Sequence, residues 1–236
     1  MEVLCILNTI EIKAMNKSRK IILIVFICFL TLFFVGGKLF TGTGKSFKSL
    51  VNKEQTSFKD GDIIFQTSQS KQCEAVRIAT NSKFSHCGII FNENGSCYVY
   101  EAIQPVKKTL FKDWIKHGLD NKYLVVRLKD STLLTAASLN KMKHYGKTLF
   151  DKDYDIYFEW SNDKIYCSEY VWKIYKQGAH IELCPLEKLK SFNLDDYRVK
   201  AILSERYGKN IPLEEDVVAP SQLANSDKLI TIFDNY

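Results

Sequence analysis

The chain has 236 residues, of which 46 % are hydrophobic and 25 % charged, with a net charge of +6. That is enough chain for one sizeable domain with a proper core, and the composition is that of a globular protein. The basic excess is local: residues 1–48 hold seven Lys/Arg against two acids, leaving 26 against 25 in the rest. It therefore argues for targeting and against nucleic-acid binding.

The N-terminal segment explains the asymmetry. Ile21 to Gly37 reads IILIVFICFLTLFFVGG without a charge. As a helix it spans roughly 26 Å, and Leu39 and Phe40 extend it if Lys38 snorkels. Lys17, Arg19 and Lys20 precede the run, which orients the N-terminus to the cytoplasm and carries the rest across. We read residues 1–20 as a cytoplasmic tail and 21–40 as a membrane anchor. The glycines of VGGKLFTGTG leave cleavage open. Cys28 follows bulky Phe26 and Ile27, an unsuitable setting for lipid attachment, and Met15 begins MNKSRK, a more typical start for such a segment than Met1. Residues 41–59, rich in Gly, Ser, Thr and Lys, form a linker, and 60–236 the folded domain.

The domain opens with a turn at Asp60-Gly61 and a short strand, Ile63 to Gln66. A short helix over Ser70 to Thr80 follows, with Ala75, Val76 and Ala79 on its apolar side. Two strands come next, SHCGIIF (Ser85 to Phe91) and SCYVYEA (Ser96 to Ala102), separated by NENG. Asn94-Gly95 is a strong hairpin signal. After a helical connection around Trp114 comes a strand at Tyr123 to Leu128. Helical patterns then cover Leu133 to Lys147, Ser168 to Gln177, Pro185 to Lys190 and Tyr197 to Arg206. Strands early and helices late predict an α+β fold, an antiparallel sheet packed against helices.

Two features carry chemistry. A two-residue turn at Asn94-Gly95 pairs positions summing to 189, and a shift by one residue to Glu93-Asn94 gives 187. Both registers leave His86 and Glu101 on one face of the hairpin, whereas a three- or five-residue loop separates them. A carboxylate beside an imidazole fixes its tautomer and frees the other nitrogen as a base. Farther on, Cys167 stands between polar SNDK (Ser161 to Lys164) and a run with Tyr170, Val171, Ile174 and Tyr175 at helical spacing. A helix N-terminus favours a thiolate. Each feature alone is more often structural: a surface His–Glu pair, a buried thiol. Together they match the nucleophile, base and orienter of thiol hydrolases.

The seven cysteines show no C-x-x-C pair and no zinc-finger spacing, so no disulfide or metal is demanded. Cys87 is predicted on the strand face opposite His86, which disfavours a His–Cys metal pair. Cys87 and Cys97 have the wrong parity to face one another. His117, His144 and His180 read as ordinary surface histidines, and Trp114, Trp160 and Trp172 as core or rim aromatics. Glu169 is placed to cap the Cys167 helix, with substrate binding as the lesser reading.

The ordered set GDIIFQTS, KFSHCGIIF, YVYEAIQPV, YDIYFEW and IYCSEYVWKIYK resembles the circularly permuted papain-fold enzymes of the YiiX/YebB type. These are relatives of bacterial cell-wall cysteine endopeptidases and of lecithin:retinol acyltransferase. The likeness runs from about Gly61 to the closing APSQLANSDKLITI. It implies a permuted papain-like fold in which the His-bearing strand precedes the cysteine helix. It implies Cys167 as nucleophile, His86 as base and Glu101 as orienter, with no cofactor. The family's G-x-x-Y-D pattern is loosened here, because KTLFDKD separates Gly146 from Tyr154-Asp155. The leading expectation is an amidase or peptidase acting on cell-envelope peptides, with the catalytic domain outside the cytoplasm and the anchor in the membrane. An acyltransferase or lipid hydrolase comes second, and a catalytically silent binding module third.

Overall fold

The computed structural model describes residues 58–236. The anchor and nearly all of the linker lie outside them, and among the described residues no helix is long and apolar enough to cross a membrane. The described part is an antiparallel sheet packed on helices. Six strands form the sheet: β1 (Ile63–Gln66), β2 (His86–Glu93), β3 (Ser96–Glu101), β4 (Lys107–Leu110), β5 (Leu124–Leu128) and β8 (Leu229–Asp234). Their spatial order is β4-β3-β2-β1-β5-β8, with every neighbouring pair antiparallel. Two two-residue strands, β6 (Glu187–Lys188) and β7 (Asp216–Val217), pair separately.

The helices are α1 (Lys71–Ala79), α2 (Phe111–Trp114), α3 (Ala136–Thr148), α4 (Cys167–Ala179), α5 (Tyr197–Tyr207) and α6 (Pro220–Ala224). The segment from Cys167 to Tyr175 is buried throughout. Such a helix belongs in the centre of a fold rather than on its surface. It packs with Ile63, Phe65, Ile89, Phe91 and Tyr100 from one face of the sheet. Helix α3 covers its other side closely: a Cβ on Gly178 would lie 2.4 Å from Met142 Cγ, so only glycine permits this approach. A smaller cluster joins α1 to α5 through Ala75, Val199 and Leu203.

The hairpin register is that of the Asn94-Gly95 turn. Ile89 pairs with Tyr100 and Glu93 with Ser96, and Asn94 and Gly95 both take positive φ (51° and 75°). Two expectations are corrected. The predicted helix over Pro185 to Lys190 is instead β6 followed by a single 3₁₀ turn, Leu189–Ser191. Pairing with Asp216 and Val217 outweighs the helical propensity of LEKLK. Strands β4 and β8 escaped prediction: KKTL carries two lysines and no alternation of apolar residues, and LITIFD has only Leu229 buried.

Candidate active site

The head of α4 is pinned from three sides. Tyr166, in extended conformation, precedes the first helical residue, Cys167. The Tyr166 N–H donates to the Glu169 carboxylate at 3.3 Å, and Lys173 Nζ lies 2.6 Å from the same carboxylate. Glu169 thus caps and braces the helix. Ser168 Oγ donates to the Val218 carbonyl at 2.7 Å, and the Val218 N–H donates to the Tyr166 hydroxyl at 3.2 Å.

His86 opens β2. Gly88, two residues on, shares its face and has Val99 Cγ1 2.4 Å and the Tyr100 carbonyl 2.8 Å from where a Cβ would stand. That close approach brings β3 near, and His86 Nε2 lies 2.7 Å from Glu101 Oε2. Glu101 is saturated: it also accepts from Trp114 Nε1 at 2.8 Å and from Thr109 Oγ1 at 2.5 Å. The Trp114 ring stacks on the imidazole, with centroids 5.9 Å apart and 26° between planes. With Nε2 committed to Glu101, Nδ1 is the nitrogen left for the thiol.

Cys167 meets that imidazole. His86, the thiol and backbone N–H of Cys87, and the hydroxyl of Tyr154 are the groups that act on its thiol. Cys87 lies on the sheet face opposite His86, as predicted, among Ile89 and Phe91. It still acts on the site, because α4 packs on that face. Gln72 Nε2 donates to the Tyr154 hydroxyl at 3.3 Å.

The electrostatics follow from these contacts. The Cys87 hydrogen bond is the largest influence on Cys167; burial opposes it, His86 reinforces it, and the thiol is held well below its usual 9.0. Burial alone would discharge His86, but Cys167 and Glu101 reverse this and push it up to about 10. Burial raises Glu101, yet His86, Thr109 and Trp114 bring it below the ordinary carboxylate range. Burial and neighbouring Cys167 push the Cys87 thiol and the Tyr154 hydroxyl well up. The balance of these influences favours a thiolate beside an imidazolium, with Cys87 and Tyr154 kept protonated.

Next to Cys167 is an apolar cavity of about 100 Å³. Its walls include Val76, Phe158, Phe192, Leu203 and Val217. Arg206 stands at its edge, bonded to Gln72 at 2.7 Å and lying over the Phe158 ring.

Residues 57–233 match the family model described as permuted papain-like amidase enzyme, YaeF/YiiX, C92 family. The chain belongs to the permuted papain-like amidases. It is 44 % identical over 172 residues to the uncharacterized protein YiiX of Escherichia coli strain K12, covering 73 % of this chain and 84 % of that one. It is also similar to the crystal structure described as metalloprotein yiiX from Escherichia coli O157:H7, with 43 % identity and a TM-score of 0.72. That match covers 75 % of this chain and 98 % of the other. Among the described residues no group of three or more His, Cys, Asp and Glu side chains converges to hold a metal, so no step is assigned to one here.

The three residues singled out in the sequence of this amidase-family chain therefore come together. Four neighbours went unseen: Cys87, Thr109, Trp114 and Tyr154. Tyr154 had a signal, since it lies in the Y-D motif, whereas Thr109 and Trp114 had none, because their contact to Glu101 depends on β4 and α2 folding over β3.

Proposed function

We propose that this permuted papain-like amidase family member is a thiol amidase working through an acyl-enzyme, with Cys167 as nucleophile, His86 as acid–base and Glu101 as orienter. A helix-head thiol whose pKa is lowered by an imidazole already bonded to a carboxylate carries the reading. The thiolate attacks an amide or ester carbonyl. The first N–H groups of α4 have no intrahelical acceptor and lie beside the developing oxyanion. Tyr154, kept protonated at the same sulfur, is the further donor. His86 then protonates the leaving group, and water releases the acyl chain.

A second reading concerns the acyl portion. The cavity beside Cys167 presents mostly apolar surface, with Gln72, Ser85, Tyr154 and Arg206 among its polar members, and approaches in size the ~150 Å³ engineered cavity that takes benzene. This favours substrates with an apolar acyl group, lipid-like amides or esters, over strongly polar envelope peptides. In this proposal residues 21–40 anchor the chain in the membrane, with the site on the extracytoplasmic side and acyl chains within reach.

The test incubates the full chain with matched amide substrates bearing acyl groups of increasing length, alongside murein peptides. Trapped acyl-enzyme is read by mass spectrometry. Acylation of Cys167, absent in Cys167→Ala and rising with acyl length, supports both readings. Acylation by the peptides alone removes the second, and no acylation of Cys167 by any of them removes the first.

A further inference from the structure

We propose that Arg206 is a specificity residue of the cavity beside Cys167: its guanidinium takes the carboxylate or phosphate group of an amphiphilic substrate whose apolar part fills that cavity. The inference rests on the second reading above and narrows its substrate class to anionic amphiphiles rather than neutral lipids. Three observations carry it. Among the described residues that line the cavity with Cys167, Arg206 is the one permanently charged side chain, and no carboxylate joins it there. Its charge is uncompensated: Nη2 donates to the neutral amide oxygen of Gln72 at 2.7 Å, and among the described residues no carboxylate forms an ion pair with it. Arg127 and Arg198, by contrast, bond carboxylates, Asp62 for the first and Asp196 and Glu74 for the second. The guanidinium is also held in place, with Cζ 5.4 Å from the centroid of the Phe158 ring, itself part of the cavity wall.

Arg206 lies in the last turn of α5, where a cation meets the helix dipole favourably. That accounts for a basic residue at this position but not for its turning onto Gln72 and Phe158 at the cavity wall. Gln72 fixes the orientation. A guanidinium only donates, so Gln72 Oε1 faces Arg206 and Nε2 faces the Tyr154 hydroxyl, to which it donates at 3.3 Å. Gln72 thus bridges Arg206 and Tyr154, which line the same cavity as Cys167. An anion at Arg206 and a carbonyl at Cys167 therefore belong to one small molecule. Of an arginine's five N–H donors, one is spent on Gln72, and the others meet no acceptor among the described residues. They are left for the forked, parallel bonds that a guanidinium makes to a carboxylate or phosphate. The apolar walls supply affinity without direction. The guanidinium supplies direction, placing the polar end of the chain at the cavity edge and rejecting a substrate that brings a cation there.

The experiment titrates the full chain carrying Cys167→Ala with hexanoate, hexyl phosphate, hexanol and hexylamine, and reads affinity by isothermal calorimetry. The proposal predicts that at least one anion binds about tenfold or more tighter than hexanol, that hexylamine binds weakest, and that added salt erodes the difference. The tighter of the two anions tells carboxylate from phosphate. Adding Arg206→Met, which keeps an apolar stem, brings both anions to within about twofold of hexanol while hexanol binds as before. Arg206→Lys keeps part of the preference, since it retains the charge without the fork. Equal affinity for the anions and hexanol, no saturable binding of either anion, or an anion preference that survives Arg206→Met because His86 holds the anion overturns the proposal. So does loss of hexanol together with the anions in an Arg206→Met chain that still folds, the mark of a purely structural role. The comparison among the ligands before substitution stands even where a variant fails to fold. Because binding is read without the nucleophile, an anion preference in a protein that no amide acylates would sink the amidase reading while leaving this one standing. Acylation of Cys167 without any anion preference would do the reverse.

Discussion

Adjacent residues on β2 face opposite worlds. His86 looks toward a polar corner in which every member is bonded: Glu101 holds His86, Thr109 and Trp114 together, and the Trp114 ring backs the imidazole. Cys87 looks toward the helix side, among Ile89, Phe91 and Tyr170, where the sulfur atoms and the Tyr154 hydroxyl are the polar groups at hand. The base is therefore rigidly positioned before substrate arrives, as electrostatic preorganisation requires. The nucleophile is in drier surroundings and owes its charge to a few donors. One side sets geometry and the other sets reactivity.

Substitutions that strip one side while sparing the other sharpen the contrast. The largest effect is expected from His86→Gln, which removes the proton carrier: kcat/KM on any amide substrate falls by about 10²- to 10⁴-fold. Glu101→Gln keeps the shape of the corner and deletes its charge. A hydrogen bond between charged groups is worth about 1.5–3 kcal/mol, so the loss is roughly ten- to a hundredfold. With that charge gone, the alkaline limb of the pH–rate profile moves down from about 10. Trp114→Phe retains an aromatic ring against His86 but removes one donor to Glu101. It costs about 1 kcal/mol, a few-fold in rate, and shifts the alkaline limb slightly upward, because a less satisfied carboxylate holds the imidazolium more strongly. Opposite shifts for Glu101→Gln and Trp114→Phe distinguish positioning from simple packing.

The smallest effect is on stability. His86 has its folded pKa raised from 6.5 to about 10, so its contribution is complete below 6.5 and is lost as pH rises through about 10. Cys167 has its folded pKa lowered from 9.0, so its contribution is present above 9.0 and is lost as pH falls through the depressed value. Between the depressed Cys167 value and about 9 the two slopes oppose one another, and urea unfolding at a series of pH values shows a flattened profile there. Above about 9 the His86 slope is no longer offset and adds to those of the buried Cys87 and Cys184 thiols, so stability falls toward pH 10. His86→Gln makes that fall shallower; an unchanged alkaline slope in this variant contradicts the assignment.

Much of the corner was legible in the sequence because it depends on local rules. Asn94-Gly95 specifies a two-residue turn, the turn sets the register, and the register puts His86 and Glu101 on one face. Polar residues before an apolar helical run likewise put Cys167 at a helix head. What escaped depends on contacts between distant elements. Thr109 reaches Glu101 from β4, a strand too polar to announce itself. Trp114 reads as a core aromatic and is one, fully buried, and its indole N–H is nonetheless spent on the carboxylate. Parity placed Cys87 on the correct face, yet no pattern in the chain says from which side α4 approaches. The Pro185 to Lys190 error has the same origin, since the strand partner lies near residue 217.

The central claim is that Cys167 ionises well below an ordinary thiol because Cys87 and His86 stand beside it. The direct measurement is the rate of iodoacetamide alkylation at Cys167 across pH, followed by mass spectrometry, with Cys184 in the same molecule as reference. Burial pushes the Cys184 thiol up to about 12. The account predicts that Cys167 is labelled far faster than Cys184 at pH 7, with a midpoint well below 9 that climbs back in His86→Gln. Equal labelling of the two cysteines, or a midpoint at or above 9 in the wild-type chain, contradicts it.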